Sequence, residues 1–257
     1  MGWTFALPPS VGWTLGKQAF VRQALAPVGF TQVRAALSYQ ALTDELLEGK
    51  VDAAWVPPLV GAALEQAGAR VILRAVRGGT SSYRAALFAR ADRELTLEGL
   101  RGQRLRAAWL DEKSMSGYVL PRKHLESLGL RLEEVFVAEK CLGSSSACVQ
   151  AVLEGKADVS ATFASPPTAP MQRLGFLDIA GERAAELTTL GFSRECPNDG
   201  VALSPRRSAG ELRELTTRFH DVLRDPAALS ALSRALEVDA LDTPPAGAYQ
   251  QLREYLR

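Results

Sequence analysis

The sequence predicts an α/β fold of two lobes built on one plan. Three observations carry this. Short apolar runs alternate with amphipathic segments along most of the chain, the pattern of βα units with mainly parallel sheets and helices on both faces. The phrase LEGK-x-D occurs twice, at 47–52 and 153–158, in matching surroundings. A helix-rich tail follows a return strand, so the end of the chain can rejoin the first lobe. The 257 residues suffice for two lobes, and a content of 47% hydrophobic and 23% charged residues is that of a globular protein. Thirty Lys and Arg against 29 Asp and Glu leave a formal charge of +1, which gives no general pull towards nucleic acid or anionic lipid. Any preference for an anion must be local.

The elements follow in order. "WTFALP" reads as a first strand ending in a Pro-Pro loop, and "LGKQAFVRQALAPVG" as the helix after it. "TQVRAAL" is a strand and "SYQALTDELLEG" a helix with Leu42, Leu46 and Leu47 on one face. Gly49 stops that helix in the left-handed conformation and Lys50 follows. "VDAAWV" is a buried strand, "PLVGAALEQAG" a helix and "RVILRAV" a strand. After "SSYRAALFARAD" a second set begins with "LTLEGLRG" and the strand "RLRAAWL". It closes on the helix carrying Val149, Val152 and Leu153, the stop at Gly155 and Lys156, and the strand "ADVSATF". "CPNDGVALSP" is the return strand, and the tail carries Leu212, Leu215, Phe219 and Leu223 on one stripe. The first lobe is thus drawn at 1–84 plus 200–257 and the inserted second lobe at 85–199. Two crossing segments, near "SYRAAL" and "DGVAL", form the hinge.

The stretch with most chemical content is "DEKSMSGYVLPRKHLESLG", 111–129. It places a strand, a hydroxyl-rich turn and a helix in succession. Ser114 or Ser116 can cap the helix, leaving its first N–H groups without internal partners. Those donors and the helix dipole favour an anion, Gly117 permits close approach to the backbone, and Pro121 bends or tightens the first turn. An ordinary capped helix has the same signature. A second hydroxyl-rich start, Gly143 with Ser144, Ser145 and Ser146, precedes the helix of the second repeat. The two starts either face one ligand or are independent caps. Tyr39 and Tyr83 open onto loops from which a phenol could reach a ligand, or else pack.

Enzyme signatures are thin: GxxxxGK[ST], GxGxxG after a strand, HExxH and GxSxG are all absent. His124 reads as a surface residue rather than a base. Cys141, Cys148 and Cys196 form no CxxC pair and read as small packing residues, so no catalytic residue, metal or cofactor is expected. No apolar run reaches the ~18–20 residues of a membrane span. The start lacks the pattern of a signal peptide. The chain is therefore expected in the cytoplasm if complete, or outside it if a leader was removed.

The order of four landmarks, "LLEGKVDAAWVPPL", "LEGLRGQRLRAAWLDEKSMSGYVLPRKHL", "GSSSACVQAVLEGKADVSATF" and "CPNDGVALSP", resembles the substrate-binding proteins of phosphate, phosphite and phosphonate ABC transporters. That resemblance implies the type 2 periplasmic-binding fold, two-lobed with a two-segment hinge. It implies that Ser114, Met115 (through its backbone), Ser116 and Gly117 clasp a phosphonate- or phosphate-like group. It further points to Tyr39, Tyr83 and Asp199 as ligand contacts, and the second hydroxyl-rich start adds Ser144 and Ser145 as candidates. Where the family often has a histidine and an acid after the GS turn, this chain has Ser145 and Ser146, and near a further family acid it has Ser165. Acids there would suit a ligand amino group, so a zwitterionic aminophosphonate is not expected. The resulting expectation is a monomeric solute-binding protein that holds a small oxyanion in an interlobe cleft, with a permease or another protein as partner. A ligand-sensing regulatory protein and an enzyme of the same fold are the alternatives.

Overall fold

The computed structural model describes residues 2–9, 13–112 and 114–256, and the chain divides into two compact units. The first comprises 1–81 and 196–257, the second 82–195. In chain order the first unit starts with β1 (Trp3–Leu7), α1 (Leu15–Leu25), β2 (Phe30–Ala35), α2 (Tyr39–Glu48), β3 (Ala53–Val56), α3 (Pro58–Gln66) and β4 (Arg70–Val76). The second contains β5 (Ser82–Arg90), β6 (Leu105–Trp109), α4 (Leu120–Ser127), the single turn α5 (Leu132–Val135) and β7 (Phe136–Cys141). It ends with α6 (Ser145–Leu153), β8 (Val159–Ala164), α7 (Gly175–Ala180) and β9 (Leu187–Phe192). The return adds β10 (Cys196–Pro197), β11 (Gly200–Leu203), α8 (Ala209–Arg224), α9 (Pro226–Leu236) and β12 (Ala240–Asp242) to the first unit.

Each unit has a mixed sheet with a parallel centre. In the first, β2, β1 and β3 are parallel, and β11 lies antiparallel between β3 and β4. In the second, β7, β6 and β8 are parallel, and β5 lies antiparallel between β8 and β9. The inserted antiparallel strand is in each case the one that follows a crossing between units. The plan is therefore shared, and the mainly parallel sheets expected from the alternation are mixed because of this strand and, in the first unit, because of β12, which pairs antiparallel with β4.

Apolar residues fill both faces of the sheets. Phe30 packs edge-on against Phe5 at 5.4 Å and against Phe219 of α8 at 5.8 Å. Leu215, Phe219 and Val222 form the buried stripe of α8, with Leu212 and Leu223 half-buried beside them. Ser208 and Glu211 cap this helix reciprocally. In the second unit Trp109 and Phe136 pack on one face of the sheet, and Phe88 stacks on Phe176 at 4.5 Å on the other. Of the segment 245–257, read as helix-rich, the described part forms only a 3-10 helix, from Gln250 to Leu256.

The repeated LEGK-x-D phrase has a structural job that its spacing alone did not reveal. Gly49 and Gly155 take φ of 77° and 68°, as a left-handed stop requires. The chain then turns so that each aspartate reaches the start of its unit's first parallel strand. The Asp52 carboxylate accepts the Thr4 N–H at 2.7 Å and pairs with Arg207 at 2.6 Å. The Asp158 carboxylate accepts the Arg106 N–H at 2.8 Å and pairs with Arg106 and Arg93 at 3.0 and 2.9 Å. Hydrogen bonds from Arg106 hold the Asp158 carboxyl below the usual carboxylate range, against the opposing effect of burial. A depressed folded-state pKa stabilises above the unfolded value, about 3.9, and that contribution is lost as pH falls through the folded one. Urea titrations from pH 7 down to 3 should show stability falling below about pH 4, and Asp158→Asn should flatten that fall. Identical pH profiles would remove Asp158 as its source.

Candidate functional site

The hydroxyl-rich turn lies at the carboxyl end of β6, where ligands of open α/β sheets bind. Ser114 is the cap: its Oγ accepts the Gly117 N–H at 3.1 Å. Met115–Val119 form one π-helical turn, in which Val119 N–H donates to the Ser114 carbonyl and Leu120 N–H to that of Met115. Such turns are rare and recur at functional sites. Pro121 widens this turn rather than tightening it. It has no N–H to bond the Gly117 carbonyl, which instead accepts the Leu110 N–H at 3.2 Å. The amides of Met115 and Ser116 open the helix and have no acceptor within it. Ser116 is half-buried, while Met115 and Gly117 are buried. Gly117 is demanded by packing more than by ligand access. A Cβ there would stand 2.6 Å from the Cβ of Leu110 and 2.9 Å from the Ser114 Oγ.

The second serine-rich start is tied to the first. The Leu142 N–H donates to the Trp109 carbonyl at 2.8 Å, and the Gly143 N–H to the Leu110 carbonyl at 2.9 Å. Leu110 thus bonds to both turns. Ser144 caps α6 by accepting the Ala147 N–H at 3.1 Å, and Ser145 is the half-buried first residue of that helix. Because β5 runs antiparallel to β8 with Arg84 opposite Ala164, half-buried Tyr83 and Arg84 stand at this same end of the sheet. The second unit therefore gathers Ser114, Met115, Ser116, Gly117, Ser144, Ser145 and Tyr83 at one sheet edge.

The first unit places Tyr39 and Asp199 at the corresponding edge of its own sheet. Tyr39 is the half-buried first residue of α2, behind the cap Ser38. Asp199 directly precedes β11, and Gly200 lies opposite Val56 at the carboxyl end of β3. Asn198 anchors this corner by donating from its side chain to the carbonyls of Ala75 and Thr80, both at 3.0 Å. The buried Tyr249 hydroxyl donates to the Asn198 carbonyl at 2.5 Å. Asp199 is paired with Arg77 at 2.9 Å. Burial raises its pKa, and Arg77 works in the opposite direction. The charge of Asp199 is thus met within its own unit.

The family model for the periplasmic substrate-binding proteins of phosphonate ABC transporters matches residues 28–244. The chain belongs to this family. No curated protein sequence matches it. Among solved structures, this phosphonate-transporter family protein is similar to XAC2383 from Xanthomonas citri bound to ATP, at 21% identity over 98% of this chain and 94% of that one, with a TM-score of 0.71. It is similar to a binding-protein component of an ABC phosphonate transporter from Pseudomonas aeruginosa, at 16% identity over 100% and 86% and a TM-score of 0.67. It is also similar to PhnD1 from Prochlorococcus marinus in complex with methylphosphonate, at 15% identity over 98% and 96% and a TM-score of 0.66. At these identities the likeness is one of fold. The fold is that of periplasmic binding proteins, and proteins of this family are transporter receptors rather than enzymes.

Two readings of individual residues need correction in this binding-protein framework. His124 is half-buried, not a surface residue, and burial lowers its pKa with Arg194 adding to the effect. Cys141 is exposed at the end of β7 rather than packed, whereas Cys148 and Cys196 are buried. No helix among the described residues is long and apolar enough to cross a membrane. Sequence reasoning missed Leu110 as the link between the turns, and Arg77 and Arg84 as the charges of the two edges. The arginine in "SYRAAL" was the available signal for Arg84, but only strand register places it beside Ser165.

Proposed function

We propose that this protein captures a small phosphorus oxyanion, phosphonate, phosphite or phosphate-like, and presents it to a membrane permease. The turn at Met115–Gly117 carries this reading: strand, Ser114 cap and widened helical start leave amides and the Ser116 hydroxyl as donors that meet no anion among the described residues. Fixed donors select a tetrahedral oxyanion by geometry, because each donor left unmatched on burial costs about 1–3 kcal/mol. Tyr39 and Asp199 of the first unit and Tyr83, Ser144 and Ser145 of the second are the further proposed ligand contacts. The receptor works outside the cytoplasm in this scheme, as a monomer. The solved neighbours bound to methylphosphonate and to ATP both carry phosphorus oxyanions, which supports this ligand class.

Calorimetry with phosphate, phosphite, methylphosphonate and 2-aminoethylphosphonate tests the proposal. One of the first three should bind most tightly, since Ser145, Ser146 and Ser165 offer no charge to an amine and Asp199 is already paired. Tightest binding to the aminophosphonate would refute this selectivity. Ser116→Ala should weaken the preferred ligand by about 1–2 kcal/mol, roughly 5- to 30-fold. Unchanged affinity would take Ser116 out of the site.

A further inference from the structure

At the β5 corner of the second unit, the described contacts leave one cation partly uncommitted. Arg84 donates from Nε to the Ser165 carbonyl at 2.9 Å, and its guanidinium lies 3.6 Å from the centre of the Phe192 ring. The stack and the single hydrogen bond fix the plane of the fork. Its two Nη groups meet no acceptor among the described residues. Glu195, the acid whose charge acts on Arg84, accepts the Ser82 hydroxyl at 2.7 Å. The Ser165 hydroxyl is also occupied, accepting the Arg173 N–H at 3.1 Å. Arg84 is half-buried, and burial lowers its pKa while the charge of Glu195 works in the opposite direction. Arginine forks of this kind match a carboxylate or phosphoryl group with two parallel hydrogen bonds.

Position connects this fork to the oxyanion turn. Arg84 lies opposite Ala164 at the end of β8, and β8 neighbours β6, which leads into the turn. Two strand spacings, roughly 10 Å, separate the β5 and β6 backbones. The acids near the turn stand on its other side: Asp111 and Glu112 act on the thiol of Cys141, at the end of β7. A ligand anchored at Met115–Gly117 therefore has the Arg84 cation on its β5 side.

We propose that Arg84 receives a second anionic group, a carboxylate or phosphoryl, carried by the same ligand whose first oxyanion rests on the Met115–Gly117 turn. This rests on the oxyanion reading above and narrows it to ligands with two anionic groups.

Calorimetry with methylphosphonate, phosphonoacetate and methylenediphosphonate tests it in the intact protein, alongside Arg84→Gln and Arg84→Lys. At least one of the two-anion ligands should bind tenfold or more tighter than methylphosphonate. Arg84→Gln should weaken that ligand at least tenfold more than it weakens methylphosphonate, and Arg84→Lys should keep part of the preference. Thermal melts of both variants report whether loss of the Ser165 bond harms the fold, and the lysine variant separates charge from that bond. Measurable methylphosphonate binding with no gain for either two-anion ligand would overturn the Arg84 proposal and leave the oxyanion reading standing. Equal weakening of all three ligands in Arg84→Gln would overturn it too. Absence of binding by all three would overturn both.

Discussion

Asp158→Ala is expected to lower the unfolding stability of the second unit by about 2–3 kcal/mol. The carboxylate is the common acceptor for the Arg106 backbone N–H and for the side chains of Arg106 and Arg93. The two guanidinium groups are nearly half exposed and would rehydrate on its loss, so their share is small. The part-buried amide at the start of β6 has no such recourse, and it positions the strand that leads to the oxyanion turn. The side chain itself is only 8% exposed, so its removal also leaves a void beside β6. Urea denaturation followed by tryptophan fluorescence would measure the change through buried Trp109. Asp158→Asn, which keeps one acceptor oxygen, should fall between alanine and the wild type. A wild-type midpoint for Asp158→Ala would show that this aspartate does not staple the repeat to its strand.

Gly117→Ala is expected to reduce ligand affinity tenfold or more and to destabilise by roughly 1–3 kcal/mol. The added Cβ meets the Leu110 Cβ at 2.6 Å, an atom held to the backbone and unable to rotate away. Relief requires the end of β6 to shift or the turn to unwind. Either movement disturbs the Leu110 bonds to Gly117 and Gly143, and with them the second serine-rich start. The Ser114 cap is crowded as well, at 2.9 Å. Gly210→Ala is a suitable control. Its new Cβ would come no closer than 3.9 Å to the Ser208 Oγ, and helix propensity favours alanine there. The control should bind ligand as the wild type does. Wild-type affinity in Gly117→Ala would mean that the turn tolerates displacement and is not the donor array.

Local chemistry made much of this protein legible. Helix stops at Gly49 and Gly155 follow from backbone sterics, so their positions are written in the residues themselves. Alternation of apolar runs signalled α/β units, because strand and helix periodicities differ. The capped turn at Ser114 was equally readable, since a serine cap acts over three residues. The order of these local signals was enough to indicate the family that the match over residues 28–244 shows.

What depends on residues far apart in sequence was decided only by tertiary structure. The LEGK-x-D aspartates could be paired as a repeat, yet their partners Thr4 and Arg106 lie 48 and 52 positions away, with nothing local to name them. Pro121 announced an irregular turn, but whether it tightened or widened depended on the Gly117 carbonyl finding Leu110. The state of Asp199 likewise required the contact with Arg77, 122 residues earlier in the chain. Backbone dihedrals and caps are set within a turn or two of chain, whereas charge neutralisation and strand register are set by whatever folding brings alongside.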